Sequence, residues 1–192
     1  MDTEFEAKFV NINKDDVRKN LKKLKAKLLR PEFFQKRMAF HLPKKSVKKG
    51  YLRVRDEGNK ITISLKYVNG KKIDDQKETQ LIVDDYESAI SLLKSIGCQS
   101  KAYQETKREL WNLDGVDITL DEWPFLEPFV EIEGKSEDAV RKVSQKLGFD
   151  YKKAVFGAVD TLYNQKYGTP KDIINNHTPE ITFSSKNPFI KP

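Results

Sequence analysis

Thr3-Glu4-Phe5-Glu6-Ala7-Lys8-Phe9-Val10-Asn11-Ile12 alternates polar and apolar residues with a period of two, the mark of a strand whose two faces meet different surroundings. Glu4, Glu6 and Lys8 fall on one face, and Phe5, Ala7 and Phe9 on the other. The same alternation returns at 51–55, 61–67, 77–83, 102–113, 116–122 and 129–133, so seven stretches read as two-faced strands. Their charged positions include Arg53, Arg55, Lys66, Glu78, Arg108, Asp117, Asp121, Glu131 and Glu133. Phe5, Phe9, Leu52, Val54, Ile63, Leu65, Leu81, Val83, Leu110, Ile118, Leu120, Val130 and Ile132 supply a second, apolar surface.

Helices that can cover that surface lie between the strands. Asn13 caps a segment in which Val17, Leu21, Leu24 and Leu28 stand at helical spacing, closed by Pro31. A second helix runs from about Asp85 to Ile96 and ends at Gly97; a third, capped by Ser136, carries Ala139, Val140, Val143 and Leu147 up to Gly148. The Asn69-Gly70 pair reads as a turn between strands. A further helix is expected over 152–166, and Gly168, Pro170, Pro179, Pro188 and Pro192 mark the C-terminal residues as a strap or tail. With helices on the apolar side, the charged faces converge inside a closed sheet. Strands that each turn an apolar face inward and charges to water are the ordinary arrangement; the pattern also allows an α+β fold built on a polar-lined barrel.

A charged interior is costly unless its groups are paired or neutralised by a ligand. Carboxylates hold hard divalent cations, and lysines and arginines hold phosphate oxygens, so the mixture suits a metal ion together with a phosphate chain. No GxxxxGK[ST] loop, GxGxxG turn or HExxH helix is present, and His41 and His177 stand alone. Metal-assisted phosphoryl transfer is the chemistry that uses both signs of charge.

The 192 residues carry 36 Lys or Arg against 29 Asp or Glu, a net charge of +7. Residues 14–49 hold fourteen of those cations against Asp15, Asp16 and Glu32, so this segment alone is at +11. It reads as a solvated helix face or as a surface for polyphosphate or RNA. The single cysteine, Cys98, excludes a disulfide framework and a cysteine zinc site and places the chain in a reducing compartment. No apolar run is long enough to span a membrane, and the acidic start Met1-Asp2-Thr3-Glu4 is unlike a signal peptide. A cytoplasmic protein is expected.

Glu4-Phe5-Glu6-Ala7-Lys8 is an ExExK pattern near the N-terminus; Arg53-Val-Arg55, Lys66, Lys107-Arg108-Glu109-Leu110-Trp111, Asp121 and Glu131-Ile-Glu133 come after it in order. In this the chain resembles CYTH-domain proteins of the triphosphate tunnel metalloenzyme superfamily, which include class IV adenylyl cyclases and thiamine triphosphatases. The likeness spans Thr3 to about Phe183, and implies a single domain over 1–183 with a tail over 184–192. It implies a closed eight-stranded antiparallel barrel with helices packed outside. It also implies that Glu4, Glu6, Asp121, Glu131 and Glu133 hold one or two Mg²⁺ or Mn²⁺ ions, that Lys8, Arg53, Arg55, Lys66 and Arg108 grip the phosphates, and that Glu4, Glu6 and Lys8 act in catalysis.

Two departures from the family pattern stand out. Many relatives carry a basic residue two positions before Arg108, where this chain has Thr106; and Glu122-Trp123-Pro124-Phe125-Leu126-Glu127-Pro128 stands where many cyclases have Leu-Gly, its Trp-Pro loop and the later Tyr167-Gly168 resembling a bacterial CYTH branch. Trp123 is read as an anchor for its loop. The activity implied is metal-dependent hydrolysis of a triphosphate: inorganic, nucleoside or thiamine. The alternatives are a class IV adenylyl cyclase, making cyclic AMP and pyrophosphate from ATP, and a non-enzymatic polyphosphate- or RNA-binding module.

Overall fold

The computed structural model describes residues 1–43, 50–68 and 72–190; the Asn69-Gly70 turn lies outside them. Eight strands form the barrel: β1 (Asp2–Phe9), β2 (Lys27–His41), β3 (Tyr51–Asp56), β4 (Ile61–Val68), β5 (Gln76–Val83), β6 (Gln99–Leu113), β7 (Val116–Glu122) and β8 (Phe129–Gly134). They pair antiparallel in the order β2-β3-β4-β5-β1-β8-β7-β6, and β2 pairs with β6 to close the ring. In a ring of eight, β2 therefore stands four strands from β1 in either direction, on the opposite wall. A ninth strand, β9 (Glu180–Ile181), adds parallel to β6.

The apolar faces lie outside, under the helices. Ala7, Phe9, Ile118, Leu120, Val130 and Ile132 pack in one cluster with Val17 and Leu21 of helix α1 (Lys14–Lys23) and with Val140 and Val143 of α3 (Glu137–Lys146). Phe40 and Val54 pack with Ala89, Ile90 and Leu93 of α2 (Tyr86–Ser95). The caps act as the sequence implies. The Asn13 side chain accepts from the backbone N–H groups of Asp15 and Asp16, and Ser136 accepts from Ala139, so orphan donors of each first turn are satisfied.

Several elements depart from the sequence reading. The first helix stops at Lys23, where Leu24 caps it and Lys25 turns left-handed (φ 57°). Leu28 and Pro31 consequently belong to β2, a strand absent from the expectation. Its register against β6 shifts between Leu28 and Arg30 and again between Arg30 and Phe33. Such irregularities break strict alternation and accommodate a proline that has no N–H to give. The stretch 152–166 is not one helix. A 3₁₀ turn (Tyr151–Lys153) leads to Val155, which bridges Lys8, and Gly157 (φ 93°) redirects the chain before α4 (Asp160–Tyr167).

Leu110, expected on the apolar outside, shares its strand parity with Arg108 and lines the interior. Leu81, also expected under cover, is 64% exposed. The residues after α4 form α5 (Lys171–Asn176) and β9 and then run to Phe189, which is buried with Trp123, Phe129, Leu162, Tyr163, Ile174 and Ile181. Trp123, Phe129, Tyr163, Ile174 and Ile181 of this cluster also line the interior of the barrel. No helix among the described residues is long and apolar enough to cross a membrane.

Candidate active site

Strand register decides which charges meet. On β1 and β8, Glu6 faces Glu133 and Lys8 faces Glu131; on β6 and β7, Arg108 faces Asp121; on β4 and β5, Lys66 faces Glu78; on β2 and β3, Arg37 faces Arg55. Side chains on one strand face recur every second residue, so these pairs all point into the barrel. There all of them but Asp121 line a cavity of about 340 Å³. All ten residues singled out from the sequence are in or against this cavity: Glu4, Glu6, Lys8, Arg53, Arg55, Lys66, Arg108, Glu131 and Glu133 line it, and Asp121 is buried beneath Arg108.

The acidic side centres on Glu6, Glu131 and Glu133, which each offer one carboxylate oxygen within 4.8 Å of the others. Three hard oxygen donors at that spacing suit a divalent cation such as Mg²⁺ or Mn²⁺. Lys8 runs along the cluster, pairing with Glu6 and, at 3.3 Å, with Glu131, while its Nζ donates to Gly157 O at 2.8 Å. Burial pulls the Lys8 ammonium below its ordinary range. Burial also pushes Glu133 up, helped by the neighbouring charge of Glu131. Glu131 itself ends at about 2, because the charges of Lys8 and Arg108 outweigh the effect of burial.

Glu4 and Asp121 are held by cations rather than by the cluster. Lys66 reaches Glu4 at 2.9 Å and Glu78 at 3.2 Å. Burial, then its hydrogen bond with Glu78, raises Glu4 to about 7; burial acts on Glu78 too, but the bond from Glu4 and the charges of Arg53 and Lys66 hold it below the usual carboxylate range. Arg108 donates from Nε and Nη2 to the two oxygens of Asp121 (2.6 and 2.9 Å) and from Nη2 to Glu131 (3.2 Å). This two-pronged contact is the strongest form of arginine–carboxylate pairing.

Four participants escape the sequence reading as site residues. Glu78 accepts from Arg53 at 3.0 Å, Glu57 pairs with Arg55 at 2.8 Å, and Gln76 donates to Glu6 at 3.2 Å. Glu78 falls on a charged strand face in the sequence, but its role emerges only through the pairing that sets it beside Lys66. The fourth is Arg37, on the strand that reads in sequence as helix and loop. Its Nη2 donates to Thr106 Oγ1 (2.5 Å) and Gln35 Oε1 (3.0 Å), and its guanidinium lies 4.6 Å from the centre of the Trp123 ring.

The profile of the CYTH domain matches residues 2–157, most of the chain. The chain belongs to the CYTH domain family. Among curated proteins, none matches its sequence. Among solved structures it is similar to the PH1012 protein of Pyrococcus horikoshii, at 26% identity and TM-score 0.65, over 79% of this chain and 93% of that one. It shares its fold with a candidate adenylate cyclase from Vibrio parahaemolyticus (15% identity, TM-score 0.71, 84% and 97% covered). The same holds for a candidate adenylyl cyclase from Hippeastrum whose dominant activity is that of a triphosphatase (13% identity, TM-score 0.55, 88% and 97% covered).

Within this CYTH domain, the departure at Thr106 has a structural counterpart. Thr106 is fully buried and donates to Gln35 while accepting from Arg37. Trp123, 8% exposed, takes Arg37 over its ring and Tyr163 edge-on. It belongs to the aromatic cluster and also lines the cavity.

Proposed function

We propose that this CYTH protein hydrolyses a triphosphate inside its barrel in a metal-dependent reaction, with inorganic triphosphate or a small triphosphorylated metabolite as substrate. The observation that carries the reading is the juxtaposition of Glu6, Glu131 and Glu133, within 4.8 Å of one another, with buried Arg53, Arg55 and Lys66 and half-buried Arg108 in one cavity. A divalent ion held by those three carboxylates supplies charge neutralisation at the phosphates and an activated water. Arg53, Arg55, Lys66 and Arg108 bind non-bridging phosphate oxygens and fix the chain for in-line attack. Lys8, between Glu6 and Glu131, faces the charge that develops as the bridge breaks.

Two other readings use parts of the same molecule. Adenylyl cyclase chemistry needs the same phosphate grip plus a seat for adenine; Trp123, which lines the cavity with Arg37 over its ring, is the aromatic side chain such a seat would draw on. A polyanion-binding surface would draw on the basic segment at 14–49. Of its cations, Lys14, Arg18, Lys19, Arg30 and Lys36 each meet a carboxylate and Arg37 is turned into the barrel; Lys22, Lys23, Lys25 and Lys27 are exposed, and the lysines at 44–49 lie outside the described residues.

The test is a product analysis of the purified protein with Mg²⁺ or Mn²⁺, given inorganic triphosphate, ATP and thiamine triphosphate separately. Orthophosphate from one or more of them, without cyclic AMP, is the expected result. Cyclic AMP with matching pyrophosphate assigns the cyclase instead. Metal-independent binding that weakens steeply with salt, and no turnover, assigns the binding module.

A further inference from the structure

Most buried cations of the tunnel have a carboxylate for company. Lys8 meets Glu6 and Glu131, Arg53 meets Glu78, Arg55 meets Glu57, and Lys66 meets Glu4 and Glu78. Arg37 does not. It is 6% exposed and lines the cavity, yet among the described residues no carboxylate oxygen lies within 4.0 Å of it. Its hydrogen bonds go to a neutral hydroxyl and a neutral amide, and its Nε has no partner. Burial and the charges of Arg53, Arg55 and Arg108 all press its guanidinium below the ordinary range.

An isolated buried guanidinium is strongly destabilising unless something compensates it. The neighbouring polar groups are the wrong kind to do so. Arg53 and Arg55 also leave a buried Nε without a partner. This wall therefore holds more donors than its acceptors satisfy, while Arg37 is closely held: Thr106 and Gln35, bonded to each other, both accept from its Nη2, and the Trp123 ring lies against the guanidinium. Rigid, preorganised cations aimed into a cavity are what an anion needs.

We propose that Arg37 is a substrate-binding residue that takes a phosphate group of the triphosphate on the wall opposite the Glu6, Glu131 and Glu133 cluster. The ring order places β2 across from β1, so a phosphate chain neutralised by metal at the carboxylates meets Arg37, with Arg55 beside it, on the far side. Thr106 is then the group that positions Arg37, and the cation missing from β6 is delivered from β2. The inference rests on the triphosphate reading of the site and adds to it a contact that fixes how the chain lies across the barrel.

The experiment compares the full chain with Arg37→Gln in two measurements: calorimetric titration with inorganic triphosphate in Mg²⁺, and the melting temperature without ligand. A phosphate contact predicts binding weakened about 10- to 100-fold, with a melting temperature equal to or above that of the parent, because an uncompensated buried charge has been removed. Binding within threefold of the parent overturns the proposal whatever the melting temperature does. Weaker binding accompanied by a melting temperature several degrees lower also overturns it, since Arg37 would then be a structural strut. Where Arg37→Gln does not fold, Arg37→Lys, which keeps the charge but loses the fork, carries the same comparison. No binding of triphosphate by the parent itself overturns the hydrolase reading and this inference together, an outcome distinct from the failure of Arg37 alone.

Discussion

The β1–β8 wall and the β2–β3 wall of the barrel handle charge in opposite ways. On the first, Glu6 faces Glu133 and Lys8 faces Glu131, so one lysine sits among Glu6 and Glu131 while Glu133 is left to crowd its neighbours. On the second, Arg37 faces Arg55 directly, and only Arg55 has an acid, Glu57. Like charges placed opposite each other on adjacent strands are destabilising. Neither wall is arranged for stability alone: one collects more carboxylate than its lysine neutralises, the other more guanidinium than its acids neutralise. A metal ion on the first and an anion on the second relieve both at once, and a metal-bound polyphosphate is a single ligand that does so.

The contrast between the walls is most exposed to test at the carboxylates. Chelation of divalent metal, or Glu133→Gln, is expected to lower phosphate release by about 10³-fold or more, read in a steady-state assay while circular dichroism confirms the fold. Retained activity under chelation would leave the acidic wall without a purpose. Next in size is Arg108→Gln, which strips the partner from Asp121 and Glu131. Removing one member of a buried pair costs about 3–5 kcal/mol, to be read from urea unfolding. Arg37→Gln should show no such loss, and equal losses at the two arginines would erase the difference between the walls.

A pH series resolves the acidic side further. Burial pushes Glu4 up to about 7, so below that pH it is protonated and its negative charge no longer adds to the field felt by a cation at the neighbouring Glu6, Glu131 and Glu133. Metal binding favours the ionised form, and affinity for Mn²⁺ should rise with pH between about 6 and 7, by at most about tenfold per unit for one proton, and level off above about 7.5. Titration followed by electron paramagnetic resonance measures it; affinity that is flat or falling over this range would contradict the assignment. The smallest effect is expected at Leu81→Lys. That side chain lies on neither wall and is largely exposed, so unfolding stability should change by no more than about 0.5 kcal/mol.

Much of this is legible in the sequence because period-two alternation carries strand and face together. Glu4, Glu6 and Lys8 announce one wall by themselves, and Arg53, Arg55, Lys66, Glu131 and Glu133 obey the same rule. The rule fails where the ladder does. On β2 the register shifts and Pro31 scramble the alternation, while Val17, Leu21, Leu24 and Leu28 keep a false helical spacing across the left-handed turn at Lys25. Arg37 is hidden by that one misreading. Leu110 is misplaced for another reason: its apolar character outweighs its parity with Arg108, although the interior accepts an apolar residue beside the charges. Partnerships such as Glu78 with Lys66 and Arg53 depend on which strands are neighbours, which local pattern does not encode.

Whether the carboxylate cluster is the reacting centre is tested most directly by phosphorus NMR of inorganic triphosphate incubated with Mg²⁺ and either the parent protein or Glu6→Gln. Orthophosphate and pyrophosphate are expected to appear with the parent and to fall to background with Glu6→Gln, which keeps the shape of the side chain but removes its charge. Equal release by both proteins would show that the chemistry happens elsewhere.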